Sequence, residues 1–87
     1  MSGKSTASSL VRSASKLSPK EIARDLSGGR LNAVIEAIST RALGGVAREL
    51  KLTRQRFELE ANYALAAKVD LVRDRVTDEQ KIRAKAN

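Results

Sequence analysis

A long stretch without helix breakers constrains the fold of this chain more than any other feature. No Gly or Pro follows Thr53, and apolar side chains recur there at intervals of three or four residues. The stripe consists of Phe57, Ala61, Leu65, Val69, Val72 and Val76. This is the spacing of a helix that buries one face. One helix is therefore predicted from Thr53 to about Val76.

The second half of this stripe has two interpretations. The spacing of Leu65, Val69, Val72 and Val76 is also that of a coiled-coil seam, although it covers only about two heptads where three or four identify a coiled coil. These four residues form either a seam for a homodimer or a protein partner, or a face that packs within the chain. Self-association is one hypothesis and intramolecular packing is the other.

The clearest helix start lies in the segment 17–22. Ser18 and Glu21 have the spacing of a capping box, and Pro19 suits the first helical position. The pair Gly28-Gly29 is expected to end this helix, because Gly tolerates the left-handed conformation at a helix terminus. A second capping-box pattern, Thr77 with Gln80, indicates a break there and a new terminal turn.

A further helix follows the first glycine pair, with Asn32 as a candidate cap. Its core residues have the spacing i, i+3, i+4, i+7, and they are Leu31, Val34, Ile35 and Ile38. The apolar faces on either side of Gly28-Gly29 are expected to pack on each other. The second pair, Gly44-Gly45, either separates two helices or lets a neighbouring backbone approach closely.

The composition limits the size and type of the fold. Eighty-seven residues make one small domain, and Phe57 and Tyr63 are the only aromatic residues, so the core must be aliphatic. The predicted fold is all-α, a small bundle of about four helices with a helix-turn-helix-like corner and a long penultimate helix. Residues 1–16 are predicted as a disordered basic leader, 17–76 as the helical domain, and 77–87 as a charged C-terminal turn or tail.

Charge and residue types narrow the classes of function. A net charge of +7 and a pI near 10.4 favour a polyanionic or acidic partner. The chain has neither Cys nor His, so it lacks thiolate chemistry and the commonest general base and metal ligand. An enzyme, a metal site and a cofactor are not expected. No apolar run approaches the roughly 18 residues of a membrane span, which predicts a cytoplasmic protein without a membrane partner.

The segment 44–69 has a pattern typical of a helix-turn-helix. The pattern predicts a short helix that ends near Leu50, a tight turn at residues 51–53, and a second helix capped by Thr53. Ala47 is small enough for the two helices to cross closely. Recognition helices meet base edges in their first turn, so the residues after Thr53 are candidates for reading DNA.

This corner gives a set of candidate DNA-binding residues. Those in the first turn of the second helix would meet base edges, and those before it would hold phosphates. The set is Arg41, Arg48, Lys51, Thr53, Arg54, Gln55 and Arg56. Arg54 is the main candidate, because its guanidinium can bond to guanine bidentately.

The same residues resemble the DNA-binding fourth region of bacterial sigma factors. The matching pattern consists of residues 46–50, residues 53–57 and the pair Ala64-Leu65, so it covers residues 46–65 only. The resemblance implies double-stranded DNA as the partner. It makes Arg54 and Gln55 promoter-type base readers, and Thr53 and Arg56 residues that support them.

Two functions follow from these patterns. The first is a small, non-enzymatic DNA-binding regulator of transcription, of the kind that mobile genetic elements of bacteria and phages encode. The alternative is a helical adaptor or inhibitor that binds a protein partner, as an antitoxin, a chaperone or a polymerase inhibitor does. The salt dependence of duplex DNA binding separates them, because only phosphate contacts weaken steeply as salt rises.

Overall fold

A computed structural model describes residues 5–86 as five α-helices. They are α1 (Thr6–Ser15), α2 (Pro19–Gly28), α3 (Arg30–Ala37), α4 (Thr40–Leu59) and α5 (Tyr63–Ala86). The described part of the chain contains no strand, so the prediction of a small all-α bundle is confirmed. The long helix is the last one and not the penultimate one, because it continues through Thr77 to Ala86. The single helix predicted from Thr53 to about Val76 is wrong, since residues 60–62 separate α4 from α5. Among residues 5–86, no helix is both long and apolar enough to pass through a lipid bilayer.

Helix α5 forms the centre of the bundle and lies against each of the other four helices. Its buried face consists of Ala66, Val69, Val72 and Val76, which are at most 5% exposed. These valines belong to one core with Leu10, Ile22, Leu31, Ile35, Leu43 and Leu50. Three residues of the seam proposed from the sequence, Val69, Val72 and Val76, therefore form an intramolecular face, while Leu65 is only half-buried. The small valines let several helices approach α5 at once.

The expected packing across Gly28-Gly29 is confirmed by a core that α2 and α3 share. Ile22, Leu31 and Ile35 are fully buried, while Leu17 and Leu26 pack against the edge of the same cluster. Val34 is the exception, because 36% of it is exposed. In α3 only Leu31 and Ile35, one turn apart, are buried, and Val34 lies at the edge of the face that they form.

The predicted disordered leader is wrong for the residues that the structure describes. Helix α1 begins at Thr6, with Ser5 Oγ accepting from the Ser8 amide as the N-cap. Its buried residues, Ala7, Leu10 and Ala14, have the helical spacing that turns one face to the core. Two of the three are small, so the stripe is hard to see among serines. Residues 1–4 of the predicted leader lie outside the described part.

The corner between α2 and α3 depends on a carboxylate. The predicted capping box is present, with the Ser18 amide donating to Glu21 Oε1 at 2.8 Å. Asp25 Oδ2 accepts from the Leu31 amide at 2.7 Å and so caps α3, the role expected of Asn32. Gly29 has an extended backbone (φ −98°) and is not left-handed as predicted. A Cβ at this position would overlap the Asp25 carboxylate, so a larger residue would displace the group that caps α3.

Helix α4 is continuous through residues 51–53, so the helix-turn-helix corner predicted there is wrong. Thr53 does not cap a new helix, because its Oγ1 donates to the Glu49 carbonyl oxygen within α4 at 2.8 Å. Gly44-Gly45 does not interrupt α4 either. The side chain of Gln80 from α5 packs close to Gly44, with Nε2 3.7 Å from the position that a Cβ would occupy. Nothing in residues 46–59 forces a helix to end, because this segment contains neither Gly nor Pro.

The real corner is the α4–α5 connection. Helix α4 ends in a Schellman motif, in which the Asn62 amide donates to the Phe57 carbonyl and the Ala61 amide to the Glu58 carbonyl. Ala61 has φ 59°, the left-handed conformation that this motif requires. Asn62 Oδ1 then accepts from the Leu65 amide and caps α5. The two long helices form an antiparallel hairpin.

Residues 77–86 form the last turns of α5, so the predicted break at Thr77 and separate C-terminal turn or tail are wrong. Thr77 does not break the helix, and its Oγ1 donates to the Asp74 carbonyl one turn earlier. Further on, Glu79 is buried between Arg75 and Arg83, with N–O distances of 2.9 Å to each. Arg83 also donates to the Ile38 carbonyl at 2.6 Å. This contact holds the end of α5 against the α3–α4 connection.

The left-handed residue at the hairpin is a site where stability can be gained. The left-handed conformation costs Ala about 1–2 kcal/mol, and the greater freedom of Gly in the unfolded chain offsets about 0.4–1 kcal/mol of that. Ala61→Gly should therefore raise the free energy of unfolding by about 0.5–1 kcal/mol, measured by urea titration. Ala67→Gly, at an exposed position within α5, is the control and should lower it by about 1 kcal/mol. A loss of stability in Ala61→Gly would contradict the assigned conformation.

The ion pairs of Glu79 make stability depend on pH. The hydrogen bond from Arg83, with a further contribution from Arg75, holds the pKa of Glu79 below its ordinary value despite burial. A carboxylate with a lowered folded-state pKa stabilises the fold above its unfolded-state pKa of about 4.3. This contribution is lost as the pH falls through the lower folded-state pKa.

Glu79→Gln should therefore lower the free energy of unfolding by about 3 kcal/mol at pH 7, because Arg83 loses its counter-charge and Arg75 keeps only the more distant Glu36. The difference from the wild type should shrink as the pH falls below about 4.3. Thermal melts at a series of pH values measure it. Asp78→Asn, which changes an exposed neighbour on α5, is the control and should act only weakly. A constant difference between wild type and Glu79→Gln across this pH range would argue against the assignment.

Candidate nucleic-acid interface

The residues predicted to bind DNA are partly brought together on the solvent side of α4. Five of the seven are exposed there, and we call them the outer face of α4: Arg41, Arg48, Lys51, Gln55 and Arg56. Their positions follow from the opposite side of the helix, where Leu43, Val46 and Leu50 are buried. A helix with one apolar stripe turns the residues half a turn away from it towards water.

The other two predicted residues do not belong to this surface. Arg54, the main candidate for base reading, points towards α5, with Nε 3.8 Å from Asp70 Oδ1 and Nη1 3.7 Å from Glu58 Oε2. Its side chain is only 28% exposed. Thr53 is half-buried and uses its hydroxyl proton within α4. Arg54 is thus a bridge between the two long helices, and it is not placed to read a base.

Ion pairs within the bundle leave the outer face of α4 with an excess of positive charge. Four carboxylates pair with arginines on or near α5: Glu36, Glu58, Asp70 and Glu79. Within residues 5–86, Arg41, Arg48, Lys51 and Arg56 take part in none of the ion pairs. Glu49 and Glu60 are exposed at the edge and beyond the end of this face. The cations of the outer face are therefore available to an external anion.

Arg12 is a further cation at this surface, and the sequence reading did not include it in the DNA-binding set. It lies on α1, and together with Arg56 it lines a cavity of about 190 Å³ between α1 and α4. A disordered leader over residues 1–16, as predicted from the sequence, gives the Arg12 side chain no fixed position. The spacing of Ala7, Leu10 and Ala14 was the signal that could have placed Arg12 on an exposed helix face.

Exposed apolar side chains extend the outer face towards the α4–α5 hairpin. Leu52 is 58% exposed and Leu59, two turns later on the same side of α4, is 89% exposed. Tyr63, at the start of α5, is 68% exposed. Single exposed apolar residues are common, but Leu52 lies among the cations of this face, between Lys51 and Gln55, and Leu59 and Tyr63 lie beyond its hairpin end. The surface thus combines charge with apolar area.

Comparisons with protein-family models, with curated proteins and with solved structures find no match to this chain. Because no related protein is found, the resemblance of residues 46–65 to the fourth region of sigma factors stays a prediction. Of the four residues to which the resemblance gives a role, Gln55 and Arg56 are exposed, Thr53 and Arg54 are half-buried, and the turn is absent.

Proposed function

We propose that this chain is a non-enzymatic protein that binds double-stranded DNA through the outer face of α4. The observation that supports this most is the set of four exposed cations on one side of one helix, none of them in an ion pair within residues 5–86. They extend over roughly 22 Å, at the 1.5 Å rise per residue of an α-helix. Duplex DNA presents phosphates along a line of that length.

The chemistry of this face favours contacts with phosphates over the reading of bases. Arg and Lys bind phosphate through charge and hydrogen bonds, which do not depend on sequence. Arg54, the main candidate for binding guanine, forms an ion pair with Asp70. Gln55 is the exposed amide that could still meet a base edge. We therefore propose binding with little sequence preference. A role in transcription and a cytoplasmic location remain predictions.

A second candidate function is a helical adaptor for another protein. It is favoured by the exposure of Leu52, Leu59 and Tyr63, since aromatic and aliphatic anchors supply the binding energy of protein interfaces. One substitution distinguishes the two functions. Leu59→Ser should leave the affinity for DNA unchanged, whereas an adaptor would lose an anchor of its interface.

Fluorescence anisotropy with a labelled duplex of random sequence, at several salt concentrations, tests the proposal. Four phosphate contacts would give a log–log slope of about −3.6, so that affinity falls roughly a hundredfold between 50 and 200 mM salt. Arg48→Gln should make this slope shallower by about one. Arg24→Gln, an exposed arginine on α2, is the control with the same change of charge. It should act less, because salt screens charges beyond about 10 Å.

The proposal fails if the wild type binds no duplex at 50 mM salt, or if Arg24→Gln weakens binding as much as Arg48→Gln does. Arg54→Ala adds a separate check on the geometry. It should not alter the preference between duplexes of different sequence, because Arg54 faces Asp70. A relaxed preference at one base position would return Arg54 to the role of a base reader and would contradict its position here.

A further inference from the structure

The cleft between α1 and α4 brings together two arginines from distant parts of the chain. It is lined by Ser8, Val11 and Arg12 from α1 and by Thr53 and Arg56 from α4. Its volume of about 190 Å³ is below the roughly 300–1,000 Å³ of sites for small organic ligands. The cleft is thus suited to a small group and not to a whole nucleotide or cofactor.

The electrostatics of this cleft are unbalanced. None of its described lining residues is acidic, and neither Arg12 nor Arg56 forms an ion pair within residues 5–86. The cavities at the α2–α3 corner differ, because Asp25 lines both of them and faces the basic residues there. Two guanidinium groups that share a cleft repel each other, and an anion between them removes the repulsion.

Two donors of the cleft, Arg56 and Ser8, have contacts that hold them in place before any ligand arrives. The Arg56 guanidinium lies 5.4 Å from the centroid of the Phe57 ring, in a cation–π contact, and Phe57 packs against the core. Ser8 Oγ accepts from Ser5 Oγ at 3.1 Å, so its own proton remains available. Thr53 donates to the Glu49 carbonyl and offers no proton. The donor set is two guanidinium groups and one hydroxyl.

We propose that this cleft is a phosphate-binding site, with Arg12 and Arg56 as its ligands and Ser8 as a third donor. Each guanidinium group can donate two parallel hydrogen bonds to phosphate oxygens. The hydroxyl adds a further donor, and the set contains no carboxylate that would repel a phosphate. The inference rests on the proposed function, in which the occupant is a backbone phosphate of duplex DNA bound to the outer face of α4. Free inorganic phosphate has the same chemistry and is the other source.

Two measurements on the full chain test the site. In the first, anisotropy gives the affinity for duplex DNA of Arg12→Gln, Arg56→Gln and the control Arg24→Gln. Each of the first two should weaken binding about tenfold, the effect of losing one charge-assisted hydrogen bond. In the second, NMR follows the Ser8 amide and the Nε–Hε signals of Arg12 and Arg56 during titration with inorganic phosphate. These signals should shift together, and those of Arg24 should not.

The outcomes separate this inference from the proposed function. If phosphate shifts the three signals but the wild type binds no duplex, the site stands as one for free phosphate and the DNA proposal falls. If Arg48→Gln weakens duplex binding but Arg12→Gln and Arg56→Gln act no more than Arg24→Gln, and phosphate moves no signal in the cleft, the site is refuted. The DNA proposal then stands with Arg41, Arg48 and Lys51 as its phosphate contacts. Both arginines are exposed, so unchanged melting temperatures should confirm that the variants fold.

Discussion

The burial of the valine face of α5 is the interaction on which the rest of the structure depends. Val69, Val72 and Val76 are at most 1% exposed, and helices α1 to α4 all lie against α5. Full burial of one such side chain contributes about 1.5–3 kcal/mol, which is large beside the net stability of a small domain. Cations at the edge of the same helix complete the docking, because Lys68 donates to the Ser15 carbonyl and Arg83 to the Ile38 carbonyl.

The candidate interface is a consequence of this packing. Helix α4 must turn Leu43 and Leu50 to the core, so Arg41 and Arg48, half a turn away, are left in water. The ion pairs also contribute to the positive charge of this surface. Carboxylates such as Glu79 are drawn into contacts with arginines of α5, which leaves cations without carboxylates on the opposite surface of α4. The net charge is fixed by composition, but the fold determines which cations are paired with carboxylates and which are not.

Local signals in the sequence predicted much of the fold, and contacts between distant residues account for what was missed. The capping box at Ser18 and the spacing of the valines depend only on near neighbours, and both are confirmed. The pair Arg54–Asp70 joins two helices, and no local pattern shows that it would remove Arg54 from the surface. The pattern of residues 46–57 is typical of a helix-turn-helix, but the segment contains neither Gly nor Pro, so nothing ends the helix at residues 51–53.

The apolar side chains next to the outer face of α4 indicate where each of the two candidate partners would bind. Leu59 and Tyr63 lie at the α4–α5 hairpin, beyond the last cation of the face, Arg56. A duplex held by the four cations contacts phosphates and gains little from Leu59, because apolar side chains contribute to DNA binding mainly when they reach a base. A protein partner would gain from the same side chain about 1.5–3 kcal/mol on full burial. The hairpin and the cationic part of α4 are thus adjacent surfaces with different chemistry, and a contact at one does not require the other to be vacant.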